Sequence, residues 1–291
     1  MNAIKTEKLT KYYGKNRGII EVDLTVPCGD FFGFIGPNGA GKSTLIRKLL
    51  GLIQKSGGSA EIFGKNVEKH RIETLKRIGY LPSENSFYKD MKVRELLEFS
   101  ARARGLNCKK EADILCQRLE LDPEKRIKEL SFGNRKKAGI VCALQHKPDL
   151  YILDEPTGGL DPLMQKEFYD ILKERNEEGA TVFLSSHLLF EISRYCKHAA
   201  VIREGRLLVS DSVEKLGHTG AKKVTLRGIG NTSALEGFTD LQIENGTARF
   251  LYDQSPRDLL ALLSTLHFED FSIEDPSLDE IFLHYYEKEE A

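Results

Sequence analysis

"FFGFIGPNGAGKST", Phe31 to Thr44, is the stretch on which the fold turns. An apolar run ends at Gly36, glycines recur at 39 and 41, and Lys-Ser-Thr opens a stretch with helical spacing. That is a buried strand, a tight turn and a helix in succession, the helix read as Lys42 to Leu52 and closed by Gly51. Gly36 to Ser43 fit G-x-x-x-x-G-K-[ST] in full, in the strand-to-helix context the motif requires. The glycines let backbone N–H groups curl around phosphate oxygens, and the helix start adds its positive dipole end. Lys42 is expected to reach the β and γ phosphates and Ser43 to hold Mg²⁺. The candidate phosphate-binding residues are Gly36, Pro37, Asn38, Gly39, Ala40, Gly41, Lys42, Ser43 and Thr44. A glycine-rich turn with a chance lysine is the bland alternative, and the flanking strand and helix argue against it.

Outward from this stretch, strands and helices alternate. "IIEVDLTV" alternates like a half-buried strand, and "RIGYLPSENSFY" is a strand running into a loop. Val93 to Arg104 and Glu111 to Leu121 read as helices with no convincing strand between them, a helical insertion at about residues 85–145. "DLYILDEP", "TVFLSSH" and "HAAVIREGRLL" supply further strands, with helices from about Pro162 and Leu188. This order predicts a mostly parallel α/β sheet. Near Lys215 the pattern changes. "KLGHTGAKK" reads as a linker, and "KKVTLRG", "LQIENGTARFLYD" and "FEDFSIED" as short strands, with a hairpin at "ENGT". "SPRDLLALLSTL" and "PSLDEIFLHYYEK" read as helices, the second with Ser277 and Glu280 as a capping box. The expected domains are 1–216 and a small α+β domain at 217–291 in which no residue looks catalytic.

Composition bounds the function classes. The 291 residues are 40% hydrophobic and 30% charged, as in soluble globular chains. A formal net charge of −1 gives no basic field that would advertise nucleic acid binding, so no nucleic acid partner is expected. Five scattered cysteines form no C-x-x-C pair and read as reduced thiols of a cytosolic protein. "MNAIKTEKLTKYYGKN" has no apolar signal region, and no stretch of about 18 apolar residues could span a bilayer.

Three further sites bear on phosphate chemistry. Asp154 ends the apolar strand "LYILD", where a carboxylate completes a Mg²⁺ shell directly or through water. Glu155 follows at once and is the candidate to polarise an attacking water. His187 ends "TVFLSSH", at the carboxyl edge where such sheets bind ligands, and is the candidate γ-phosphate contact. A lone histidine is more often structural; the adjacent strands make the difference here. "LSFGNRKKAGIVCAL", Leu130 to Leu144, offers a second anion-friendly helix start at Ser131 and Gly133.

The order of glycine-rich loop, helical insertion, "LSFGN", "LYILDEPTGGLDP" and "SSH" resembles the ATP-binding cassette (ABC) ATPases over residues 1 to about 215. The resemblance implies a P-loop NTPase-type fold with an antiparallel N-terminal β part, with ATP and Mg²⁺ as ligands. It implies two cassettes packed head to tail, so that Ser131 and Gly133 hold the γ-phosphate of the partner's ATP. That would explain two anion sites in one chain. Tyr13 in "KYYG" matches the aromatic that stacks on adenine, with Tyr12 as its neighbour and a plain strand-end tyrosine as the alternative. Gly158 to Asp161 match the loop that touches the other subunit, and Asp161 with Pro162 also reads as a helix cap.

Two positions depart from the family pattern. The signature is usually L-S-G-G-Q, and Phe132 and Asn134 stand here instead. Ser83 and then Glu84 follow "IGYLP" where the family has a glutamine that contacts Mg²⁺ and links the site to the transport partner. Ser83 is retained as a candidate metal contact, at short range or through water. "GYLPSENSFY", "SFGNRKK" and "PSLDEIF" resemble the ATPase subunits of bacitracin-resistance-type bacterial exporters. The implied protein is an ATPase on the cytoplasmic face of the membrane, a homodimer driving a separate permease. Its helical insertion and the loop Ser83 to Tyr88 would pass motion to the permease, with Phe87 and Tyr88 as candidates for an apolar contact with it and core packing as the alternative. A soluble cassette ATPase acting on DNA or ribosomes would carry a coiled coil or two cassettes in one chain. A small-molecule kinase would leave "LSFGN" and "SSH" without a role, and a non-hydrolysing module would not need both Glu155 and His187.

Overall fold

The computed structural model describes residues 1–217, 222–230, 232–235 and 237–275. The chain divides into two compact units, Met1–Asp211 and Ser212–Ala291. In the first, β1 (Asn2–Tyr13) and β2 (Asn16–Pro27) form a long antiparallel ribbon. β3 (Phe31–Ile35) leads into α1 (Lys42–Leu49), followed by β4 (Gly57–Ile62), β5 (Lys65–Asn66), α2 (Arg71–Lys76) and β6 (Ile78–Leu81). Then come α3 (Val93–Arg102), α4 (Lys109–Arg118) and α5 (Phe132–Leu144), with no strand between them. β7 (Leu150–Asp154), α6 (Pro162–Glu177), β8 (Thr181–Ser186), α7 (Leu189–Tyr195), β9 (His198–Arg203) and β10 (Arg206–Ser212) complete this part of the chain.

Two sheets sandwich one core. A six-stranded sheet runs β10-β9-β3-β8-β7-β6, and a four-stranded sheet runs β2-β1-β4-β5. β9, β3, β8, β7 and β6 pair in parallel. Every residue of β3, β7 and β8 is buried, as in parallel strands covered on both faces. Ile4, Leu9 and Val22 of the ribbon pack in one apolar cluster with Phe32 and Phe34 of β3 and Leu45 and Leu49 of α1. The site is set by this order. β8 lies between β3 and β7, so the phosphate loop, Asp154 and His187 leave the carboxyl ends of three adjacent strands.

Boundaries differ from the sequence expectations at helix ends. α1 stops at Leu49 rather than Leu52, because Gly51 turns left-handed at φ 64°. β1 was not legible as a strand. Its register slips between Thr6 and Leu9, beside Lys8 at φ 45°, so its buried residues do not alternate.

The second unit holds α8 (Val213–Gly217), β11 (Lys222–Arg227), β12 (Thr239–Glu244), β13 (Thr247–Tyr252), α9 (Pro256–Thr265) and β14 (Asp270–Glu274). Its sheet runs β12-β13-β11-β14. Val224, Leu226, Phe250 and Tyr252 form an apolar core with Leu259 and Leu263 of α9. The "ENGT" hairpin has Asn245 and Gly246 both at positive φ, 48° and 73°, with Glu244 paired to Thr247. The expected linker is helical through Gly217, and residues 218–221 are not described. The expected helix with Ser277 and Glu280 lies outside the described residues.

Candidate nucleotide site

The phosphate loop has the backbone its glycines predict. Gly39 and Gly41 sit at φ 82° and 111°, where a side chain is strained. A Cβ on Gly36 would fall 2.4 Å from the Ile202 carbonyl oxygen. Ala40 N donates to Pro37 O at 3.1 Å, which tightens the turn. Gly41 is the N-cap of α1, with no side-chain cap and no acidic residue in the first turn. The first N–H groups of α1 and its positive dipole end are therefore left for an anion from outside. Lys42 is only 5% exposed. Its ammonium donates to Gly36 O at 2.7 Å and Pro37 O at 3.2 Å, and lies 3.3 Å from Glu155 Oε1. A buried ammonium beside an uncapped helix start is the donor set a polyphosphate needs.

The carboxylates come next. Asp154 is 2% exposed, and its Oδ1 accepts from Ser185 Oγ at 3.0 Å. Glu155 leaves the strand in the left-handed region, at φ 47°, uncommon and strained for a residue with a Cβ. Its N–H donates to Ser185 O at 3.0 Å. Its Oε1 lies 3.3 Å from the Lys42 ammonium and 3.3 Å from His187 Nδ1. One carboxylate oxygen thus gathers the two other residues proposed for chemistry.

Two buried charges behind this edge were not singled out in the sequence. Lys136 of α5 is 2% exposed, and its ammonium donates to Pro82 O, Ser83 O and Glu155 O at 3.2, 2.9 and 3.0 Å. Burial pushes its pKa down to about 8, against the pull of Asp154 and Glu155. Glu191 of α7 is 4% exposed and accepts from Thr157 Oγ1 and Ser186 Oγ, each at 2.6 Å. It bridges the segment after Glu155 to the residue before His187. Lys136 hides in "NRKK", which reads as a solvated basic run. Glu191 is the one acid in the apolar stretch "LLFEI", a weak signal that could have found it.

The remaining candidates lie elsewhere on this unit. Ser131 caps α5, its Oγ accepting from Asn134 N at 3.2 Å, and Phe132 beside it is exposed. A Cβ on Gly133 would fall 2.5 Å from the Gly159 carbonyl oxygen, and one on Gly159 would fall 2.3 Å from the Phe132 ring. The "LSFGN" and "GGLD" loops of one chain are therefore in contact. Asp161 caps α6, accepting from Met164 N at 3.0 Å, with Pro162 at the first helical position. Tyr12 and Tyr13 are equally exposed, 43% and 42%, so exposure does not choose between them. Position does bear on it: a Cβ on Gly18 would fall 3.0 Å from both the Tyr13 ring and the Thr44 methyl. Ser83 is half-buried, and its carbonyl is taken by Lys136. Among the described residues no group of three or more His, Cys, Asp or Glu side chains could hold a metal alone.

An α/β unit with a glycine-rich phosphate loop, a strand-end carboxylate pair and an adjacent histidine defines a P-loop nucleotide hydrolase. Comparison with known proteins takes this further. Residues 19–158 match the ABC transporter family. The bacitracin transport ATP-binding protein BcrA of Bacillus licheniformis is 42% identical over 211 residues, 70% of this chain and 68% of that protein. The uncharacterized ABC transporter ATP-binding protein YhaQ of Bacillus subtilis is 30% identical over 95% of this chain and 96% of its own length. A solved ATP-binding subunit of an ABC transporter superposes with a TM-score of 0.70 at 28% identity, covering 74% of this chain and 91% of that one. The chain belongs to the ABC transporter family, as an ATP-binding subunit and an ATPase.

Proposed function

We propose that this ATPase is the energising subunit of an exporter, that two copies close around two Mg·ATP, and that they drive a separate membrane permease. The observation that carries the catalytic part is the Glu155 carboxylate, 3.3 Å from both Lys42 and His187 at the carboxyl ends of adjacent strands. Lys42 is held by two loop carbonyls and Glu155. A γ-phosphate competes for that ammonium and releases Glu155 to accept a hydrogen bond from water. The water oxygen attacks phosphorus in line with the β–γ bridging oxygen. The bond from phosphorus to that oxygen breaks with its electron pair going to ADP, and the γ-phosphoryl group leaves as inorganic phosphate while the water's proton passes to Glu155 and on to solvent. His187 steadies the charge that develops on the transferred group. Positioning and electrostatics carry such a step, since it asks little covalent work of the protein. Ser43 and Asp154 would hold Mg²⁺ together with the phosphates, with Ser83 as a further candidate. The metal would supply charge neutralisation to the phosphates when bound. Tyr13 stacks on adenine, and Ser131 and Gly133 complete the site of the other copy.

Relatives support the exporter reading, since BcrA is named for bacitracin transport. A permease fits two further features. No helix among the described residues is long and apolar enough to cross a membrane. An apolar groove of about 330 Å³, lined by Leu50, Leu52, Ile72, Leu75, Tyr80 and Ala103, opens beside the helical part of the unit. Leu52 and Ile72 stand there 51% and 76% exposed, with Tyr88 at 74% on the loop after β6. Such apolar surface suits a partner, and a permease there would hold the chain peripherally at the cytoplasmic face of the membrane. No nucleic acid role is proposed.

The test is Glu155→Gln, followed by phosphate release and size-exclusion chromatography with and without Mg·ATP. The expected result is hydrolysis lowered about 10²–10⁴-fold, the range a positioned base contributes, with an ATP-dependent shift to dimer. Full hydrolysis by the variant would remove Glu155 from the role assigned to it. A variant that binds ATP and stays monomeric would point to a different cassette as partner.

A further inference from the structure

We propose that Lys136 is a positioning residue: it joins the loop after β6 and the backbone of Glu155 into one piece, so that the placement of the loop sets the placement of the Glu155 carboxylate. This rests on the reading of Glu155 as the residue that orients water.

An ammonium has three N–H donors, and Lys136 directs them to three carbonyls. Two belong to the loop, Pro82 and Ser83, and the third is that of Glu155. The site is 2% exposed, so no bulk water substitutes for these bonds. Hydrogen bonds from a charged donor are among the stronger ones in a protein.

The Glu155 backbone needs such support. At φ 47° it sits in a region that persists only where its surroundings over-determine it. Its N–H is held by Ser185 O and its C=O by Lys136. With both ends of the residue fixed, the left-handed backbone fixes the direction in which the side chain leaves, and Lys42 and His187 flank its carboxylate. One turn along α5, Gly139 leaves room for Asn85, where a Cβ would fall 2.6 Å from the amide nitrogen and oxygen. Helix α5 therefore meets residues 82–85 at two successive positions on one face. Ser83 stands where a glutamine would link loop to site through a side chain. Here the link runs through the backbone and is made by Lys136.

The experiment uses the full chain and ATP. Lys136→Met keeps an apolar stem and removes all three donors. Steady-state hydrolysis gives kcat and KM, and hydrogen exchange follows peptides covering residues 82–88. The expected result is kcat lowered about 10–100-fold, as for a small misplacement at a reacting centre, with KM for ATP within about twofold. Exchange at 82–88 rises in the same variant. Lys136→Gln keeps a shorter donor and is expected to fall between Lys136→Met and the unsubstituted chain in both readouts. A folded Lys136→Met with unchanged kcat overturns the proposal. So does a lowered kcat with unchanged exchange at 82–88, because Lys136 would then act on Glu155 without the loop. If Lys136→Met does not fold, Lys136→Gln decides, and unchanged kcat and exchange overturn the proposal. Glu155→Gln separates the two claims. If it hydrolyses ATP fully, the reading of Glu155 fails; if it is inactive while Lys136→Met is not, only the link fails.

Discussion

Helices α1 and α5 each begin at a place suited to an anion, yet they are finished differently. α1 starts at Gly41 with no side-chain cap, and its first residue, Lys42, is 5% exposed. α5 starts at Ser131, which caps its own helix through Asn134 N, and the next residue, Phe132, is 58% exposed. The first start is recessed, leaves its N–H groups to a ligand, and lies beside the carboxylate and histidine of its own chain. The second is satisfied by its own side chain and faces outward. This difference is what a chain carrying complementary halves of two sites would show. On the proposed function, the buried half would bind and react with its own nucleotide, and the exposed half would serve another copy.

The largest effect is expected at the buried half. Lys42→Ala removes a charge-assisted bond to phosphate and leaves Glu155 without its nearest cation. ATP should bind about 10–150-fold more weakly, from about 1.5–3 kcal/mol for a hydrogen bond to a charged group. Isothermal titration of the isolated chain reads this. Affinity unchanged by the substitution would break the contrast between the two starts, because α1 would then be no more committed to its own nucleotide than α5.

A smaller effect sharpens the contrast at the far end of α5. His146 follows that helix, with Nε2 3.1 Å from Ile78 O and Nδ1 buried without a hydrogen-bond partner. Burial pushes its pKa from 6.5 down to about 4. The unfolded chain therefore binds more protons than the folded one between about pH 4 and 6.5. The stability this residue contributes is complete above that window and is lost as pH falls through it. The melting temperature should drop between pH 7 and pH 5, and His146→Gln should make that drop smaller. An equal drop in both proteins would show that the buried end of α5 does not sense protons through His146.

The sequence made the chemistry legible where residue types and short spacing carry it. Gly36 to Thr44 could be read because the φ of 82° and 111° at 39 and 41 favour glycine, which the sequence supplies. Asp154 and His187 could be read because each ends an apolar run. β1 could not, because the slip beside Lys8 breaks its alternation. The strand order β3-β8-β7 was legible, but the meeting of Lys42 and His187 at one oxygen of Glu155 was hidden, since Glu155 turns left-handed as it leaves its strand. Lys136 was hidden for a third reason. A lysine is rarely buried unless its donors are satisfied, and the acceptors of Lys136 come from two other parts of the chain. The cap on α5 and the contact between Phe132 and Gly159 likewise belong to the folded chain rather than to the "LSFGN" motif.

The central claim is that the start of α5 acts on the nucleotide of another copy. Ser131→Asp tests it most directly, because aspartate caps a helix as well as serine does but repels a phosphate. The substitution is made in the Glu155→Gln chain. ATP affinity is read on the monomer, and ATP-driven pairing by size-exclusion chromatography. The expected result is unchanged ATP affinity with pairing lost. Pairing that persists, or an ATP affinity that falls in the isolated chain, would contradict it.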